Sequence, residues 1–255
     1  VLKAKGDVLA FLDRRDEALT HYDNAFRLFQ QVGSSLGQAN VLKAKGDVLA
    51  FLDRRDEALT HYDNAFRLFQ QVGSSLGQAN VLQAKGDVLA FLDRRDEALT
   101  HYDNAFRLFQ QVGDRLGQAN VLKAKGDVLA FLDRRDEALT HYDNAFRLFQ
   151  QVGSSLGQAN VLQAKGSLAL RQNQTQEGLA LLDQAFSLYE SIGGQVGLAN
   201  CGIILGRFRA AQGDFRAAMA YMQPAADFGK AIGHPLGVQL QAEIDAWRAQ
   251  MDAGR

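Results

Sequence analysis

The chain of 255 residues has a single cysteine, Cys201, and only two prolines, Pro224 and Pro235. One thiol excludes an internal disulfide framework and fits a reducing, cytoplasmic setting. With so few prolines, helix can run almost everywhere. An excess of charge of either sign is also missing: 28 Lys and Arg stand against 29 Asp and Glu, a net charge of −1. Nucleic-acid binding needs a basic surplus to displace counterions, and none exists globally or locally. No apolar run reaches membrane-span length; the longest candidates lie around Ile203–Leu205. No signal peptide is visible, and a start at Val1 without Met reads as a cut fragment. With 47% apolar and 22% charged residues, the composition is that of a folded protein rather than a disordered tail.

What is present is repetition. The stretch KGDVLAFLDRRDEAL at 5–19 returns at 45–59, 85–99 and 125–139, a period of 40 residues. Residues 1–40, 41–80 and 121–160 are identical, and 81–120 differ only at Gln83, Asp114 and Arg115. Residues 161–240 keep the frame but diverge. A fixed period of this size means a solenoid or array, which overrides domain counting from length.

Each repeat reads as two helices. Gly33 supplies a left-handed helix end, and Ser34 or Ser35 an N-cap. Helix A then spans about Leu36 to Leu52. Asp53 is expected to cap helix B, about Arg54 to Val72, whose first turn is acidic. Short connections force antiparallel hairpins. In helix A, Leu42, Gly46 and Leu49 share one arc, with Val41 and Leu52 at its edge. Asn40, Lys43 and Asp47 lie opposite, flanked by Ala50 and Phe51. In helix B, Ala58, Leu59, Tyr62, Ala65, Phe66, Phe69 and Val72 cover about half the circumference, so helix B is expected to meet both its own helix A and the next repeat. A lone hairpin cannot bury such an arc; stacked hairpins can.

Leu42, Gly46, Leu49, Ala58, Tyr62 and Ala65 follow the small-and-large pattern of the tetratricopeptide repeat. LGRFRAAQGDFRAAM at 205–219 carries that family's Leu-Gly and Gly-Asp-aromatic signatures most fully. The chain therefore resembles this family over nearly its whole length, in its longer subtype of 40 residues. The resemblance implies an all-α fold, an α-α superhelix (solenoid) of antiparallel helix hairpins. Six repeats would fill 1–240, near-identical over 1–160 and diverged over 161–240, the first truncated at its N-terminus. A capping helix would fill 236–255, with Leu236, Leu240, Ile244, Trp247 and Met251 on one stripe. Pro224 is expected to kink or shorten the preceding helix. Nothing comparable closes the N-terminal end, where self-association with another copy is an expectation.

Three residues depart from the family pattern: Lys45 at a buried Leu position, Asp53 at a Gly, and Arg55 at an aromatic. Either the charged heads reach solvent over packed stems, or Lys45 and Arg55 form an inter-repeat ladder with Asp53, Asp56 or Glu57.

No reaction centre is apparent. His21, His61, His101 and His141 recur once per repeat, at least the roughly 8–10 Å of packed helices apart, too far to share a metal. Cys201 reads as a small core residue. GGQVG at 193–197 lacks the Lys-Ser/Thr of a phosphate loop. No cofactor, metal or enzyme activity is expected. The resemblance instead implies a concave groove lined by A helices, presenting Asn40, Lys43, Asp47, Ala50 and Phe51. Asn80, Gln83, Asp87 and Phe91 follow, then Asn120, Lys123, Asp127 and Phe131. One subgroup clamps C-terminal carboxylates with Lys and Asn here; this chain has Asp in place of that Asn, where it can neutralise each Lys. The Phe residues either form an exposed aromatic strip or pack between A helices. The expected partner is a protein or peptide, with no nucleic acid and no membrane. The alternative is a structural spacer or self-associating array.

Overall fold

The computed structural model describes residues 1–253, in which thirteen helices and no strand occur. The chain divides into two units, the first Val1–Asp133 and the second beginning at Arg134. In the first unit α1 (Leu2–Phe11), α3 (Ser35–Phe51), α5 (Ser75–Phe91) and α7 (Arg115–Phe131) are A helices. They alternate with the B helices α2 (Arg15–Gln31), α4 (Arg55–Gln71) and α6 (Arg95–Gln111).

The turns follow from two residues per repeat. Gly73 has φ +69°, and the backbone N–H of Ser74 reaches back to the carbonyl of Phe69 at 2.9 Å. That closes helix B with a Schellman-type end. Ser34 and Ser74 then cap the next A helix, accepting from the amides of Gly37 and Gly77 at 3.2 Å. Asp114 does the same for Gly117 at 2.9 Å, so its exchange for Ser preserves the cap. At the other turn the structure corrects the sequence reading. Asp53 does not cap helix B; it takes φ +64° and ends helix A, the amide of Arg54 reaching the carbonyl of Leu49 at 2.9 Å. Aspartate is among the few side chains that tolerate this region. Arg54 occupies the N-cap position without a side-chain capping bond.

Helix B meets its own helix A and the helix A of the next repeat, as the sequence implies. Helix A is in addition buried on two faces, which its sequence did not suggest. On α3, Leu42 and Leu49 pack with Ala58, Tyr62, Ala65 and Phe69 of α4. Val41, Ala44 and Val48 pack with Ala18, Tyr22 and Ala25 of α2. Leu59 and Phe66 of α4 are only half-buried, and Val72 is exposed. Within this unit α3 and α5 are thus each held between their own B helix and the preceding one. Close approach of α3 and α4 depends on Gly46: a Cβ there would lie 2.5 Å from the Tyr62 ring. Successive A helices also touch one another, so their remaining edges form the inner wall of the unit.

The second unit holds α8 (Arg135–Gln151), α9 (Ser155–Arg171), α10 (Thr175–Ile192), α11 (Gln195–Ala211), α12 (Phe215–Ala231) and α13 (Pro235–Ala253). Pro224 does not shorten α12, which runs through it. On α13, Leu240 and Ile244 are fully buried against α12 while Gln239, Asp245 and Arg248 are exposed. The last two positions of the 236–255 segment lie outside the described residues.

Candidate functional site

The residues singled out from the sequence sit on the A helices of the first unit, along its inner wall. Lys43 donates to Asp47 at 2.8 Å and Lys123 to Asp127 at 2.7 Å, so the four-residue spacing does neutralise each lysine. A second partner, not expected from the sequence, holds the aspartates. The Tyr62 hydroxyl donates to Asp47 at 2.9 Å and that of Tyr102 to Asp87 at 2.7 Å. Each tyrosine buries its ring against a glycine and brings only its hydroxyl to the wall. Burial, together with the aspartate, raises both tyrosines above the ordinary phenol range, so they remain donors.

The phenylalanines are exposed and not packed between A helices: Phe51, Phe91 and Phe131 keep 70%, 73% and 65% of their surface open. Each carries an arginine of the preceding B helix over one face. The guanidinium carbon of Arg15 lies 3.6 Å from the Phe51 centroid, Arg55 lies 3.9 Å from Phe91, and Arg95 lies 3.6 Å from Phe131. Arg55 is fixed on its other side by an ion pair with Asp53. The family's aromatic has been exchanged for an arginine that reaches the next repeat; its recurrence beside a recurrent Phe was the available signal.

Lys45 also bridges repeats, with a partner different from those expected. It meets Asp23 of α2 at 2.5 Å, and Lys85 and Lys125 meet Asp63 and Asp103 at 2.6 and 2.5 Å. Glu57 is instead held by Arg54 at 2.6 Å. The lysine heads therefore do not simply reach into solvent: the Lys45 side chain is only 16% exposed.

Among the described residues, cavities open between neighbouring A helices of the first unit. One of about 440 Å³ lies between α1 and α3 and includes Asn40, Lys43, Asp47, Arg15 and Phe51. The next, of about 370 Å³ between α3 and α5, brings together Lys43, Asp47, Ala50, Phe51, Asn80, Gln83 and Asp87. Both are shallow and mixed in polarity, with charged floors and an aromatic rim. Asn120, Lys123, Asp127 and Phe131 continue the same edge on α7. Among the described residues, no group of three or more His, Cys, Asp or Glu could hold a metal ion. Cys201 is buried in the second unit, and burial pushes its thiol up to about 12, so it remains protonated at neutral pH. No helix among the described residues is long and apolar enough to cross a membrane.

Solved structures of similar fold include BtubC (BKLC) from P. vanneervenii, 18% identical with a TM-score of 0.70, over 88% of this chain and 94% of that one. A Rap protein complexed with competence and sporulation factor is 11% identical with a TM-score of 0.71, over 100% of this chain and 76% of that one. The Rap conjugation gene regulator of the plasmid pLS20, in complex with the Phr* peptide, is 15% identical with a TM-score of 0.65. That match spans 85% of this chain and 59% of the regulator. No curated protein sequence matches the chain. The sequence model of the tetratricopeptide repeat matches residues 1–71, 38–111, 77–151 and 118–191. With stacked helix hairpins, Gly46 under Tyr62 and a repeat-by-repeat match over most of its length, the chain belongs to the tetratricopeptide repeat family.

Proposed function

We propose that the first unit is a non-enzymatic scaffold that binds an extended segment of a partner protein along its inner wall. The observation that carries this reading is the cavity between α3 and α5. It gathers seven of the residues picked out from the sequence, and the mostly open ring of Phe51 stands at its edge. An open aromatic edge beside hydrogen-bonding side chains is the chemistry by which short peptides are held. The Rap regulator described with the Phr* peptide has the same fold and supports the reading by analogy. The single buried thiol fits a reducing, cytoplasmic location.

The test is selection of a random dodecapeptide display library on the protein, beside a variant with Phe51, Phe91 and Phe131 changed to Ala that keeps its helical circular dichroism. Enriched peptides should bind the variant at least roughly tenfold more weakly. Failure to enrich any peptide, or equal binding to the variant, overturns the reading.

A further inference from the structure

The third repeat departs from its neighbours at one place on the inner wall, and the change leaves a carboxylate without its usual cation. On α1, α3 and α7 a lysine donates to the aspartate one turn later: Lys3 to Asp7 at 2.9 Å, Lys43 to Asp47 at 2.8 Å, and Lys123 to Asp127 at 2.7 Å. On α5 the lysine is replaced by Gln83 while Asp87 is kept. Asp87 accepts from the Tyr102 hydroxyl, and no cation among the described residues forms an ion pair with it. Lys43 and Lys123 stand on the helices to either side, but each is engaged with its own aspartate.

The surroundings of Asp87 match one kind of side chain. Its cavity is also lined by Asn80 and Gln83, whose amide oxygens are acceptors, and by Phe51. Arg15 occupies one face of Phe51, yet most of that ring is still open. A guanidinium has donors only, pairs with a carboxylate through two parallel N–H groups, and stacks on aromatic faces. The chain uses the same chemistry itself, where Arg55 pairs with Asp53 and lies over Phe91. At the neighbouring positions each aspartate already has a lysine, so charge complementarity singles out this cavity.

We propose that the cavity between α3 and α5 takes an arginine side chain of the bound segment, with Asp87 as its counter-ion. The proposal rests on the inner wall being a peptide site and names the residue that this site selects. The local electrostatics agree with it. The Asp87 side chain is exposed at the wall, yet its partial desolvation outweighs the Tyr102 hydrogen bond and the pull of Lys123 and Lys43 on the flanking helices and holds its carboxyl above the ordinary carboxylate range. A cation brought to Asp87 would supply what Gln83 cannot.

The experiment compares the native chain with Gln83→Lys and Asp87→Asn. Gln83→Lys restores the residue that the same frame carries at 3, 43 and 123, so its folding is already exemplified. Two probes are used: a positional-scanning hexapeptide library, and Nα-acetylarginine methylamide beside its uncharged citrulline analogue, followed by the NMR shift of the Asp87 carboxyl. The native chain should select arginine at one library position. Both variants should bind those peptides at least about tenfold more weakly, and only the arginine probe should move the Asp87 signal. Peptides selected without a basic preference, or equally by Gln83→Lys, overturn this inference and leave the peptide site standing. An arginine shift at Asp87 with no peptide selected supports the cation site and overturns the peptide reading. No selection and no shift overturn both.

Discussion

The guanidinium of Arg55 lies 3.9 Å above the ring centroid of Phe91, one repeat further along the chain. A residue at the start of a B helix thereby covers one at the end of the next A helix. Because Arg55 is also paired with Asp53, whose left-handed backbone forms the turn, the contact links turn geometry to the stacking of repeats. A double-mutant cycle of Arg55→Ala and Phe91→Ala, read by thermal unfolding, should give a coupling of about 0.5–1 kcal/mol. Losses that simply add would mean that the stack contributes nothing to stability.

The lysine–aspartate bridges predict an asymmetry between partners. Lys85 is largely covered, with 16% of its side chain exposed, while Asp63 is half open at 50%. Removing the aspartate leaves a covered cation without its partner, whereas removing the lysine leaves a carboxylate that water can reach. Asp63→Asn should therefore cost about 1 kcal/mol, at the upper end for such partly exposed pairs, and Lys85→Met less. Urea unfolding of the two variants checks the order. A larger loss from Lys85→Met would show that the lysine stem, rather than the pair, supplies the stability.

How much of this could be read from the sequence depended on the range of each interaction. Gly33, Ser34 and the Lys43–Asp47 pair act within one turn of backbone, and their spacing alone placed them. Asp53 was misplaced because aspartate serves both as an N-cap and as a left-handed helix end, and only the observed φ of +64° separates the two. The two-faced burial of α3 was hidden because its polar stripe is narrow. Its repeated small residues, Ala39, Ala44 and Gly46, lie on a covered surface that looks weakly apolar in sequence. The cross-repeat contacts, Lys45 with Asp23, Tyr62 with Asp47 and Arg55 with Phe91, depend on how far each hairpin turns against the next. Helical periodicity does not encode that rotation. The unusual environment of Asp87 was present in the sequence as Gln83, but its meaning required knowing that lysine is the partner elsewhere.

Packing of A against B gives a sharper prediction. A Cβ at Gly86 would stand 2.5 Å from the Tyr102 ring, which is itself buried. Alanine is worth up to about 1 kcal/mol over glycine in a helix, so propensity alone would make Gly86→Ala stabilising. Overpacking a filled interface costs about 1–3 kcal/mol, and Tyr102 cannot retreat without leaving Asp87. The melting temperature should fall. A rise would show that the ring shifts freely and that the hydroxyl contact with Asp87 constrains little.

The histidines set a pH dependence. The Nδ1 atoms of His61 and His101 are buried without a hydrogen-bond partner. Burial, with Lys45 beside His61 and Lys85 beside His101, holds both imidazoles below their ordinary range; Asp23 and Glu57, or Asp63 and Glu97, oppose the shift less strongly. Charging either ring would place a proton on a nitrogen that has nowhere to donate. With the folded-state value below the unfolded one, the folded chain binds fewer protons. The stabilisation is thus complete above about pH 6.5, the unfolded value, and is lost as pH falls through the folded one. The melting temperature should decline between about pH 7 and 5, and the double change His61→Gln, His101→Gln should flatten that decline relative to the native chain. Parallel profiles for the two proteins would assign the acid sensitivity to the carboxylates instead.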